Sequence, residues 1–162
     1  MDMVEYKNKI IEILNEHNAR LELSKTVDSS YYNPGMMENL DQYYGQYDTD
    51  TNQAFIKTEV KGLRYDNRSY HMDDMVVGNV VDICREPTNE FNPNNFSVKN
   101  LKGESLGSLS ASICDALAPL VDAGYAKIVN SKVSYMEKIS ERSRYAKQGI
   151  LFVQFTIVFL GV

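Results

Sequence analysis

Along residues 3–21 the apolar positions recur every three or four residues. Ile10, Ile11, Leu14 and Leu21 share a side with Lys7 and Asn18, while Glu5, Lys9, Glu12 and Glu16 take the other. That spacing predicts an amphipathic helix. Asp2 followed by Glu5 has the spacing of a capping box, and no Gly or Pro interrupts the run. The period then changes to two. From Phe55 to Tyr65, Ile56, Thr58 and Val60 alternate with Lys57 and Glu59, which predicts a strand, with a turn at Asp66-Asn67-Arg68. Met75–Cys84 (MVVGNVVDIC) is β-branched on both faces and predicts a central strand.

After a second loop with two prolines, and a short strand near Phe96–Val98, the helical period returns over residues 105–123. Leu106, Leu109, Ile113, Ala116, Leu117, Leu120 and Val121 form its stripe. Pro119 should kink the last turn, Gly124 suits the C′ position, and Ser105 or Ser108 suits the N-cap. Tyr125–Tyr135 predicts one or two short strands around Asn130-Ser131. The closing run, GILFVQFTIVFL, lines one face with Leu151, Val153, Phe155, Ile157 and Phe159. Extended, it would exceed roughly 35 Å. A strand that long and apolar belongs in the middle of a sheet or against a second subunit, because an exposed edge would aggregate.

Between Ser24 and Gln53 no period holds. The stretch is acidic, broken at Asn33-Pro34-Gly35, and carries Tyr31, Tyr32, Tyr43, Tyr44 and Tyr47. It predicts either a surface loop or an arm that docks on a neighbour, since tyrosine offers large amphipathic area at low entropic cost. The whole is expected to be one α+β domain over residues 1–162, with 24–54 a loop or arm insertion. Two helices pack on a mainly antiparallel sheet.

Composition adds limits. With 162 residues, 43% hydrophobic and 24% charged, the chain can bury a core without disulfide or metal. Its net charge of −5 argues against a free-standing nucleic-acid binder. Cys84 and Cys114 read as small buried hydrophobes; a bridge between them is the alternative. MDMVEYKNKI lacks a signal-peptide core, and the closing apolar run is too short to span a membrane. A reducing cytoplasm follows.

Candidate chemistry is sparse. Asp48, Asp50, Asn52 and Glu59 match positions one, three, five and twelve of a calcium loop, but Gln53 stands where the turn requires Gly. An acidic turn entering a strand explains it. His71 with Asp73 and Asp74 lacks the ligands of a zinc site and reads as a polar strand entry. There is no nucleophile elbow and no phosphate-binding glycine motif. The expectation is therefore no enzyme, no cofactor and no metal. Lys138, Arg142, Arg144 and Lys147 form a basic patch diluted by Glu137 and Glu141. It reads as a solvated hairpin or as a subunit contact, with the acidic tyrosine-rich arm as its complement.

In order and length, a leading helix, a sheet, one helix before Gly124-Tyr125, and a closing strand after Arg144-Tyr145 resemble the tail terminator and neck proteins of tailed phages. The resemblance implies a virion structural subunit: a homo-oligomeric ring, hexameric, joining tail tube to head connector. DNA would pass its lumen without sequence-specific binding. It also implies a location in the host cytoplasm during assembly and then in the virion, with no membrane contact. Tyr31, Tyr32, Tyr43, Tyr44, Tyr47, Lys138, Arg142, Arg144 and Lys147 would form the subunit interface. The alternatives are a small α+β ligand-binding domain or enzyme whose site no motif reveals, and an interaction module recognising partners through the tyrosine-rich loop.

Overall fold

The computed structural model describes residues 1–26 and 44–162. Helix α1 runs Met3–Thr26, and the Glu5 amide donates to Asp2 Oδ1 at 2.9 Å, so the expected N-cap forms. Ile10 and Leu14 on its inner face are buried, and Asn18 Nδ2 donates to the Gly45 carbonyl at 2.6 Å. Next come β1 (Tyr44–Asp48), β2 (Gln53–Glu59), a 3-10 turn (Arg68–Met72), β3 (Asp82–Arg85), β4 (Phe96–Lys99) and β5 (Ser105–Ser108). Helix α2 (Ala111–Asp122), β6 (Ala126–Glu137) and β7 (Ile150–Phe159) complete the chain. Strand β1 lies inside the stretch that the sequence reads as structureless. The rest of that stretch, with Tyr31, Tyr32 and Tyr43, lies outside the described residues.

The strands form two antiparallel sheets, ordered β1-β2-β7-β6 and β3-β4-β5. Two seams join them. Just past β2, Lys61 exchanges backbone hydrogen bonds with Ser108 of β5, at 2.8 and 2.9 Å. Just before β3, Val80 bridges Lys132 of β6. The circuit β6-β7-β2-β5-β4-β3 therefore closes into a small barrel, with α1 and α2 packed together on its flank. Closure covers edge positions of β5 and β6. As the hydrophobic run predicts, β7 is central, lying between β2 and β6. The fold is α+β, two helices on a mainly antiparallel sheet.

Three local readings change. Ser105–Ser108 is strand β5 rather than the first turn of the second helix, and the N-cap is Ser110. Of the run Met75–Cys84 only the end is strand; Val76, Val77 and Val80 are exposed. Asn79 accounts for this: its Oδ1 accepts from the Val76 amide at 3.0 Å, making a turn where β-branched residues suggested a strand. Residues 126–137 are a single strand with irregular register, Asn130 taking a left-handed conformation at φ 57°. At the end of α2 the expected glycine terminus does form. The Tyr125 amide reaches the Leu120 carbonyl and the Gly124 amide reaches Val121.

Both cysteines are free thiols. Burial raises the Cys114 pKa to about 11, and its thiol donates weakly to the Leu109 carbonyl at 3.6 Å. Burial, helped by Asp82, also pushes Cys84 up. Between pH about 9 and 11 the unfolded chain releases the Cys114 proton and the folded chain keeps it. Stability should therefore fall as pH rises through that window, by up to about 1.4 kcal/mol per unit. Denaturation curves of Cys114→Ala should lack this slope. Iodoacetamide should label Cys114 only at the rate of unfolding; rapid labelling of native protein would refute its placement.

Candidate functional site

The sequence-level metal signal dissolves in the structure. Asp48 ends β1, where its Oδ1 accepts from the Asp50 amide at 2.9 Å, and Glu59 lies at the far end of β2. A seven-residue strand separates the first and last ligand positions. His71 sits on the 3-10 turn rather than at a strand entry, and its Nδ1–H donates to the Ser105 carbonyl at 2.7 Å. Among the described residues, no three His, Cys, Asp or Glu side chains gather as a metal site.

A cleft of about 630 Å³ lies instead where the first seam meets two loops. Its floor comes from Lys61 and Gly62 on one strand end and from Ser108 and Leu109 opposite them. One wall is the segment after β2. Here Arg64 stacks on Tyr65, with Cζ 4.9 Å from the ring centroid, and its Nη2 donates to the tyrosine hydroxyl at 2.6 Å. Asp66 and Asn67 turn the chain in left-handed conformations at φ 53° and 59°, bringing Arg68 back over Gly62. Arg68 Nη1 donates to the Gly62 carbonyl at 3.2 Å, while its buried Nε has no hydrogen-bond partner. A buried donor left open beside a cleft is what an incoming acceptor satisfies.

The second wall is the loop between β3 and β4, held by its own asparagines. Asn89 Oδ1 accepts from the amides of Phe91 and Asn92 at 3.0 and 2.9 Å. Glu86 Oε1 accepts from Asn89 Nδ2 at 2.6 Å and from Asn95 Nδ2 at 3.3 Å. Asn95 also reaches Ser108 Oγ, tying the loop to the floor. From outside, Asp115 of α2 holds Asn92 and Asn94, and Asp122 takes Arg85 in a two-pronged pair, both contacts at 3.0 Å. At the tip of this braced loop Phe91 is 94% exposed. A large apolar ring held in water by so many hydrogen bonds is a contact surface rather than a packing failure.

The interface residues expected from the sequence lie elsewhere. Tyr44 begins β1. Tyr47 packs edge-on to Phe159 at 6.1 Å and donates to Asn52 Oδ1 at 2.7 Å, so it is committed within its own chain. Lys138, Arg142, Arg144 and Lys147 share the loop between β6 and β7, with Arg144 and Lys147 exposed. Reading by motif missed the cleft. Two traces of it were visible: a lone phenylalanine set among asparagines in TNEFNPNN, and the dipeptide Arg-Tyr, which occurs at 64–65 and again at 144–145.

Fold and cleft together define a small helix-flanked β-barrel module. The chain belongs to the HIRAN domain family, whose model matches residues 54–150, more than half of its length. HIRAN domains are non-catalytic modules, so membership makes the chain non-enzymatic. Among solved structures it is similar to a protein from Lactobacillus plantarum, at 21% identity with a TM-score of 0.51. That match covers 67% of this chain and 99% of the other. It is also similar to the HIRAN domain of human HLTF, at 22% identity with a TM-score of 0.47, over 64% of this chain and 74% of the other. No curated protein sequence matches it.

Family membership overturns the phage resemblance. Helix, sheet, helix and closing strand in that order are shared by many α+β domains, and order alone does not show how sheets close. HIRAN membership contradicts the tail terminator or neck assignment, the hexameric ring, the tail-tube and head-connector partners, DNA passage through a lumen, and the virion location. Among the described residues, no helix is long and apolar enough to cross a membrane.

Proposed function

We propose that this HIRAN domain is a DNA-binding accessory module, and that its cleft takes a single strand with unstacked bases. Phe91 carries the reading. An exposed aromatic ring on a rigid loop offers a stacking platform, and a base can reach it only when freed from a duplex. Tyr65 offers a second ring, and Lys61, Arg64 and Arg68 place cations along the same wall for phosphate oxygens. The human HLTF fragment carries the same domain name.

The net charge of −5, which argued against nucleic acid, is an average over the chain. Binding responds to the local field, and Lys61, Arg64 and Arg68 outnumber the two acids beside them, Glu59 and Asp66. In anisotropy titrations a labelled single strand should bind more tightly than a duplex of the same sequence. Phe91→Ala should weaken it about ten-fold, within the roughly 1–3 kcal/mol that one base–aromatic stack contributes. The affinity should also fall with salt, with a log–log slope near −2 for three neutralised phosphates. Equal affinity of Phe91→Ala and the parent would refute the cleft.

A further inference from the structure

We propose that the loop between β6 and β7, residues 138–148, is a second anchor for the same strand, gripping the nucleotides that leave the cleft. The inference rests on the single-strand reading above and extends it to a surface outside the cleft. First, the two places are joined. A groove of about 290 Å³ runs from Gln148 to Lys61, Gly62 and Tyr65, three residues that also line the cleft. Arg142 Nη1 closes the loop by donating to the Gln148 carbonyl at 2.7 Å. The Gly149 amide then donates to Ser69 Oγ at 2.9 Å, and that hydroxyl donates to the Leu63 carbonyl at 2.9 Å, which fixes the loop to the cleft wall.

Second, the loop repeats the chemistry of that wall. Arg144 Cζ lies 4.8 Å from the Tyr145 ring centroid and Nη2 donates to its hydroxyl at 2.7 Å, against 4.9 and 2.6 Å for Arg64 and Tyr65. Both tyrosines are exposed, Tyr145 at 74% and Tyr65 at 52%. An arginine laid on a tyrosine stiffens the ring and puts a cation beside it, which suits a base and its phosphate together.

Third, the charge is unspent. Lys138, Arg142, Arg144 and Lys147 have no ion-pair partner among the described residues, although Glu137 and Glu141 are close in sequence. Glu59, at the groove, is paired with Lys61 at 3.4 Å. In a chain of net charge −5 such a concentration of cations without carboxylate partners among the described residues suits a polyanion contact. The loop suits a nucleic-acid strand better than an acidic protein surface, because the stacked Tyr145 repeats the cleft's own base platform.

The test is affinity against strand length. Labelled oligothymidylates of about 3 and about 12 nucleotides bracket one cleft and a cleft plus its extension. The parent should bind the longer strand at least ten-fold more tightly. The double variant Arg144→Ala/Tyr145→Ala should lose that gain and keep the affinity for the short strand unchanged, with an unchanged melting curve. Arg144→Glu/Lys147→Glu should do the same and lower the salt slope for the long strand. Long-strand binding that survives both variants overturns the second anchor while leaving the cleft intact. Failure of the parent to bind the short strand, or its indifference to Phe91→Ala, overturns the cleft and the anchor with it. Loss of short-strand and long-strand binding together in the double variant also overturns the anchor, because the loop would then belong to the cleft itself.

Discussion

Phe155→Ala should lose about 3–5 kcal/mol of stability in chemical denaturation, the usual cost of emptying a phenylalanine site in a core. Its ring is completely buried in the core, and its backbone stands opposite Ile56 of β2. Because β7 has β2 on one side and β6 on the other, the surrounding strands cannot collapse into the void without breaking two ladders. Phe155→Asp leaves an unpaired carboxylate in the same place and should abolish soluble expression. Melting of both variants at the parent's midpoint would show that β7 is peripheral.

That prediction follows from sequence pattern alone, and the reason is physical. Strand β7 and helix α1 are each long enough for their period to outweigh local noise, and each buries the face the pattern marks: Leu151, Val153, Phe155, Ile157 and Phe159, and Ile10 with Leu14. The pattern misleads where pairing partners are distant. Leu106 and Leu109 fall in helical register with Ile113, yet residues 105–108 form a strand because β4 and Lys61 supply hydrogen bonds that no local window contains. The valines after Met75 look like a buried strand, but Asn79 turns them to the surface.

The cleft was hidden for a related reason. Phe91 is a loop residue with no periodic partner, and its meaning depends on Asn89, Glu86, Asn95 and Asp115 converging to hold its loop still. Asparagine-rich loops are usually just turns. Only the geometry shows that this one is braced from two strands and a helix. The basic patch at Lys138–Lys147 was visible, but its neighbour was not, since Gln148 meets Tyr65 across more than eighty residues of sequence.

Gly107→Ala should cost at least about 1–3 kcal/mol from backbone strain, because Gly107 sits at φ +141°, a conformation that residues with a Cβ rarely adopt. Steric overlap adds to this. A Cβ there would fall on the Lys61 carbonyl oxygen and come within 2.9 Å of Val60 Cγ1. The carbonyl it strikes accepts the Ser108 amide at 2.9 Å, so the substitution pushes apart the seam that closes the barrel. Lys61 and Ser108 are also the floor of the cleft. Binding of a single strand should therefore fall even at temperatures where the variant remains folded. Gly124→Ala is the control: φ is +82° but nothing lies within 4 Å of the added carbon. It should lose only the cost of the left-handed helix terminus, about 1 kcal/mol, and bind DNA as the parent does. If instead both variants bind equally well, the seam does not position the cleft. If both lose binding in proportion to stability, the cleft is only as rigid as the fold as a whole.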